Sequence, residues 1–377
     1  MRFTCLASSL CTVVAGLGGV ACAGRAADAP ARVAAAPAPS EDAVALDGVV
    51  VRADPDPLTQ LEIYDADELF HIAREMERND RLDDAITVYD SLLQDFPQSA
   101  VAEPAEYNLG LLHERREEFE AAANAYFVIV DQAAPAEAER RRTWLDAHYR
   151  IAVCFSRLQA WWRAVAMFDQ VLEQPWIEPS DRIEADLGRG IAMQEAGEPA
   201  SAEIAFAAVL RVAREESSRG PFIDNGMVAE AAFRMGEISA ERYRAVKLEF
   251  PLDVLTERLE LKCQELLNAQ HRFLRAIRHG DAHTVAAAGF RIGSLYESLY
   301  DTIVGLRVPD ELTEAQAELY REEVRKRVNV LVEKALRIYE RALVVGQSAP
   351  TAKDWNERLR ASIERLRDIY LSTPGVA

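Results

Sequence analysis

Residues 66–97 read ADELFHIAREMERNDRLDDAITVYDSLLQDFP. Small residues stand where two helices would touch, Ala73 on the first and Ala85 on the second. Large residues surround them: Leu69, Ile72 and Met76 before the turn, Tyr89 and Leu92 after it. Asn79-Asp80 interrupts the helical period and Pro97 ends it. The stretch therefore reads as a helix–turn–helix unit of the kind that recurs about every 34 residues. A small residue on each helix lets the backbones approach, and aromatic and leucine side chains fill the remaining space.

The unit recurs along the chain. Residues 107–130, YNLGLLHERREEFEAAANAYFVIV, put Gly110, Ala122 and Tyr126 in the roles of Ala73, Ala85 and Tyr89. Residues 148–172 do so with Ala152, Ala164 and Phe168, and residues 187–210 with Gly190, Ala202 and Phe206. In all four units the first small residue precedes the second by 12 positions.

Beyond Gly226 the pattern stretches. AAFRMGEI at 231–238 is echoed by AGFRIGSL at 288–295, with Gly236 and Gly293 as contact positions. Their second-helix partners come late: Ala269, Phe273 and Ala276, then Ala335, Tyr339 and Ala342. Each of these units is expected to hold an insertion between its halves, FPLDVLTERL (250–259) and RVPDELTEAQAELYREEV (307–324). A final helix over about 352–370 is expected to cap the array, because a terminal repeat must present a polar outer face.

The chain has 377 residues, 49% of them hydrophobic, enough for a large core. Lysine is rare, five against 38 arginines, and sustained strand alternation is absent from the sequence. The expected class is all-α, a right-handed α-solenoid of helix pairs, regular at first and irregular with insertions in the C-terminal half. A net charge of −19 argues against general nucleic-acid binding, which needs a basic face to displace counterions.

The N-terminus carries no charge between Arg2 and Arg25, and the apolar stretch between them ends GVACAG. This reads as a bacterial secretory signal over 1–22. Val20-Ala21-Cys22 resembles a lipobox, which would make Cys22 the lipidated first residue, although Gly19 replaces the usual leucine. Ordinary signal cleavage after Ala23 is the competing reading, and an uncleaved anchor comes last. No later segment is long and apolar enough to span a membrane. Residues 23–57, rich in Ala, Pro and Asp, read as a disordered tether. The regular repeats then occupy 58–216, with a break expected from Ser217, and the irregular ones 217–371.

Catalytic constellations are missing from the sequence: no phosphate-cradling glycine loop, no GxSxG and no HExxH. His279 and His283 lie four apart, but Gly280-Asp281 between them breaks the helix. Cys154 and Cys263 sit in different units without metal-ligand spacing and read as small buried hydrophobes. Trp161 reads as core and Trp162 as surface. No metal, cofactor or small-molecule substrate is expected, and a helical-repeat enzyme is the remote alternative.

Residues 60–213 resemble tetratricopeptide repeats, a family that scaffolds protein assemblies. With a signal and Cys22 in front, the chain resembles bacterial outer-membrane tetratricopeptide lipoproteins. AAFRMGEISAERYRAVKLEFP, LLNAQHRFLRAIRHG and AAAGFRIGSLYESLYDTIV resemble, over about 220–345, the tetratricopeptide lipoproteins of the adventurous gliding-motility machinery. That resemblance implies a periplasm-facing outer-membrane lipoprotein with envelope-protein partners. Barrel assembly and envelope maintenance are the alternative processes. It also implies a concave groove lined by first helices. Matched by position, its rungs are Phe70, Tyr107, Tyr149 and Leu187, followed one turn later by Arg74, Leu111, Val153 and Ile191. Asn108 and Arg150 lie beside them, and Asn108 matches a position where the family often places a peptide-binding asparagine. Aromatic rungs flanked by arginine suit a peptide of acidic character. The competing reading packs the rungs against neighbouring helices or the tether.

Overall fold

The computed structural model describes residues 50–52, 62–131, 134–220, 225–308 and 312–372. Cys22, the signal and most of the expected tether lie outside the described residues. The tether reading fails at Val50–Arg52, which forms strand β1 and pairs antiparallel with β2, Glu62–Tyr64, placing Val50 opposite Tyr64. The run Val49-Val50-Val51 is β-branched and favours this extended pairing.

Everything else regular is helical. Four short hairpins come first: α1 (Ala66–Arg78) with α2 (Leu82–Asp95), α3 (Ala102–Arg115) with α4 (Phe119–Val130), α5 (Ala138–Arg157) with α6 (Trp161–Leu172), and α7 (Pro179–Glu195) with α8 (Pro199–Arg219). Two longer hairpins follow: α9 (Asn225–Ala245) with α10 (Leu252–His279), and α11 (Ala282–Val304) with α12 (Glu314–Gly346). The last helix, α13 (Lys353–Ser372), packs on α11 and α12. Each helix packs on its chain neighbours, so the fold is an all-α helical-repeat solenoid.

One contact recurs in four of the six hairpins, two of them short and two long. The aromatic residue four places after the second small residue lies over the first small residue. A Cβ added to Gly110 would stand 2.5 Å from the Tyr126 ring, and one at Gly293 would stand 2.2 Å from that of Tyr339. Gly190 meets Phe206 and Gly236 meets Phe273 in the same way. Ala73, Ala85, Ala122, Ala152, Ala164 and Ala202 are all fully buried. The aromatics Tyr89, Tyr126, Phe206, Phe273 and Tyr339 are equally inaccessible.

A second rule accompanies the first. Where the ring is tyrosine, the residue four places after the first small residue is glutamate, and it accepts the phenol proton. Tyr89 donates to Glu77 at 2.5 Å, Tyr126 to Glu114 at 2.7 Å and Tyr339 to Glu297 at 2.5 Å. Where the ring is phenylalanine, at 168, 206 and 273, that position holds Ser156, Gln194 and Ala240. A buried hydroxyl needs a partner, and a buried ring without one does not.

The four short hairpins share a turn. Asp80, Glu117, Gln159 and Gly197 all have positive φ, at 60°, 61°, 56° and 83°. The next amide reaches back five residues in each case: Arg81 to Met76 O at 2.9 Å, Glu118 to His113 O at 2.9 Å, Ala160 to Phe155 O at 2.8 Å and Glu198 to Met193 O at 2.9 Å. This is the Schellman closure, which satisfies the last carbonyls of a helix before reversal.

The long hairpins close differently. The expected insertions are not separate elements; they lengthen the second helices α10 and α12 at their N-termini. Thr313 caps α12 in a reciprocal capping box with Gln316. Lys262, buried on α10, donates to Tyr243 O at 2.9 Å and Val246 O at 2.8 Å, which supplies a cation to the C-terminus of α9. The break expected from Ser217 also moves, since α8 continues to Arg219. Trp162 is exposed as read, whereas Trp161 is only half-buried.

Candidate functional site

The first helices of the four short hairpins line a cleft of about 620 Å³. It brings together five of the sequence-derived candidates: Phe70, Arg74, Tyr107, Asn108 and Tyr149. Leu111, Val153 and Leu187 do not line it. Leu187 packs with the core of α7, α8 and α9, Leu111 is half-buried, and Val153 is exposed outside the cleft. Arg150 stands behind the rungs, paired with Glu114 at 3.4 Å and Asp146 at 3.7 Å.

The rungs stand on the second-helix aromatics. Phe70 meets Tyr89 edge-on at 5.8 Å, Tyr107 meets Tyr126 at 5.6 Å, and Tyr149 tilts against Phe168 at 6.1 Å. The ladder continues into the long hairpins, where Phe233 meets Phe273 and Phe290 meets Tyr339. Each tyrosine rung also reaches the next first helix. Tyr107 donates to Asp146, and Tyr149 donates to Asp181 O at 2.7 Å. Burial, then the hydrogen bond to Asp146, raises the Tyr107 phenol pKa, and burial raises that of Tyr149. Both rungs are neutral hydrogen-bond donors at physiological pH. They therefore belong partly to the packing, with one ring face left to the cleft.

Asn108 is buried, and its amide donates to Tyr89 Oη at 3.0 Å. It completes a relay from Asn108 through Tyr89 to Glu77, and so joins the second hairpin to the first.

The charge of the cleft corrects the expectation of an acidic peptide. Glu103, Asp146, Asp181 and Glu184 line it against only Arg74 and Arg142. Arg142 is already paired with Asp181 at 3.0 Å. An incoming carboxylate would meet an excess of like charge, whereas a neutral or basic segment would not. These acids sit three or four residues before the rungs, or one helical turn earlier still. That spacing, read one turn further toward the N-terminus, is the signal that would have found them.

Two titratable groups outside the cleft belong to the packing. His148 is buried, with Nδ1 against Trp144 O at 2.9 Å, and burial lowers its pKa. The Cys154 thiol is buried and pushed up to about 12 by burial, so it is not a nucleophile at neutral pH. His279 and His283 end up on different helices, as the Gly280-Asp281 break implies. Among the described residues no group of three or more His, Cys, Asp or Glu side chains could hold a metal ion. Among the same residues no helix is long and apolar enough to cross a membrane.

The fold and cleft define a helical-repeat protein whose open surface is an aromatic, acid-rimmed groove. Residues 69–99 match the family model described as tetratricopeptide repeat. No curated protein matches the chain. Among solved structures, a tetratricopeptide repeat protein from Parabacteroides merdae is similar at 14% identity, with 78% of this chain and 98% of that one covered and a TM-score of 0.36. A TPR repeats protein from Bacteroides fragilis is similar at 11% identity, covering 69% and 98% respectively, with a TM-score of 0.34.

Proposed function

We propose that this chain is a non-catalytic scaffold that captures a segment of an envelope protein in the first-helix cleft. The observation that carries the reading is the ladder Phe70, Tyr107 and Tyr149 lining one continuous cleft. Aromatic side chains supply large contact area at low entropic cost and dominate binding at protein interfaces. The rim of carboxylates selects a neutral or basic segment.

The proposal extends to location. The apolar stretch before Arg25 and the sequence Val20-Ala21-Cys22 support a lipid anchor on Cys22 and a periplasm-facing place at the outer membrane. The resemblance over 220–345 supports service in a gliding-motility-type complex. The test is isolation of the tagged full chain from envelope fractions, with Cys22→Ser beside wild type. We expect wild type in the membrane fraction with co-purifying envelope proteins, and Cys22→Ser in the soluble envelope fraction. Salt-resistant membrane association of Cys22→Ser would overturn the lipid anchor. Recovery of wild type alone would overturn the scaffold.

A further inference from the structure

A second open surface lies on the second-helix side of the long hairpins. A trough of about 510 Å³ runs between α10 and α12, with α11 as its floor. Leu274 and Ile277 form one wall, Ile338 and Val345 the other, and Val285 and Ile292 lie beneath. Leu274 and Val345 are exposed, as are Leu267 and Val330 further along the same two helices.

The rim is cationic. Lys334, Arg337 and Arg341 stand on α12 at spacings of three and four, so they share one helix face. At Leu274 the trough meets a second hollow lined by Arg214, His271, Arg275, Arg278 and His279. Neither hollow is lined by a carboxylate. Among the described residues Arg214, Arg275, Arg278 and Arg341 have no ion-pair partner, and Arg337 has only a long contact with Glu333 at 3.6 Å. Burial and the neighbouring Arg214 and Arg278 lower the pKa of Arg275, as expected of uncompensated like charge. Such a cluster on a chain of net charge −19 is a local inversion of the whole.

We propose that this trough docks an amphipathic helix of a partner protein that carries acidic residues beside its apolar stripe. Apolar side chains of the incoming helix enter between Leu274 and Ile338, and its carboxylates meet the arginines on both rims. The trough is concave, with ridges α10 and α12 above a recessed α11. It admits a helix where a flat bilayer would touch only the ridges. Its charge is opposite to that of the first-helix cleft, so the two surfaces select different partners.

The test uses the full chain and a labelled synthetic helix of three heptads, with leucine at its core positions and glutamate flanking them. A twin carries lysine in place of glutamate. Arg337→Glu/Arg341→Glu alters exposed positions only, and Lys353→Glu/Arg360→Glu on α13 is the control of equal charge. The acidic helix is expected to bind wild type and the control, to bind the trough variant about tenfold more weakly, and to weaken with salt. The lysine twin is expected not to bind. Equal binding of both helices, no binding of either, or an unchanged affinity in the trough variant overturns the proposal. Two further outcomes overturn it by naming another occupant. One is co-sedimentation with phosphatidylglycerol vesicles that the trough variant loses. The other is self-association that the trough variant loses.

Discussion

From α1 to α8 the chain reverses on the same six-residue Schellman closure four times, and the first small residue precedes the second by 12 positions. In α9–α10 and α11–α12 the same pairs stand 33 and 42 positions apart, yet Gly236 meets Phe273 and Gly293 meets Tyr339 as Gly110 meets Tyr126. The ring-on-glycine contact is thus independent of the turn that joins its helices. Turn length sets something else, namely which side carries open surface. Short hairpins leave a cleft on their first helices. Long second helices extend beyond their partners and wall a trough of their own.

If that contact is common to both regions, damaging it should cost the same in each. Gly110→Val and Gly293→Val are each expected to lose about 3 kcal/mol, because the added atoms meet a ring already in contact with the backbone. Denaturant unfolding checks this. A loss at Gly110 alone would show that the long hairpins rest on some other contact. Ala122→Leu, which overpacks the second-helix side, is expected to cost about 1–3 kcal/mol.

The phenol–glutamate pairs offer a finer comparison. Tyr339→Phe leaves one oxygen of the buried Glu297 without its donor and is expected to cost about 1–2 kcal/mol. Adding Glu297→Ala recreates the Phe273–Ala240 pairing of the neighbouring hairpin. The double variant is expected to recover part of the loss, seen as a coupling of about 1 kcal/mol in a double-mutant cycle. Additive losses would mean that the matching of tyrosine with glutamate along the chain has no energetic basis.

His148 sharpens the account of the regular region. Its folded pKa is lowered, so below about pH 6.5 the unfolded chain binds a proton that the folded chain resists. Stability is expected to fall as pH drops through that window toward the folded pKa. In His148→Gln the decline should flatten. Chemical denaturation at several pH values measures it.

The smallest effect concerns the shared turn. Glu117 and Gln159 hold positive φ without glycine, whereas Gly197 fills the same place. Glu117→Gly and Gln159→Gly are expected to gain about 0.5–1 kcal/mol, and Gly197→Ala to lose a similar amount. Thermal unfolding resolves the sign.

Much of this was legible in the chain itself. The small residues at 110, 190, 236 and 293 and the aromatics that cover them follow from volume and spacing, which are local properties. So do the helix break at Gly280-Asp281 and the exposure of Trp162. The strand Val50–Arg52 was hidden because an Ala- and Pro-rich neighbourhood outweighs three valines when composition is averaged. The polarity of the cleft was hidden for another reason. Arg74 and Arg150 were read without their partners: Glu77 and Asp146 lie on their own helices, whereas Glu114 reaches Arg150, and Asp181 enters the cleft, only after distant helices stack. The bond from Asn108 to Tyr89 was hidden for the same cause, since that partner lies one hairpin away.

The claim that the first-helix ladder is the capturing surface is tested most directly by Tyr107→Ala/Tyr149→Ala in the full chain. Circular dichroism and capture of envelope partners are measured on the same preparation. The account predicts a helical spectrum like that of wild type with partner capture reduced. An intact spectrum with undiminished capture would contradict it and move the partner surface off the cleft. Loss of the helical spectrum would also contradict it, by making the two tyrosines part of the core alone.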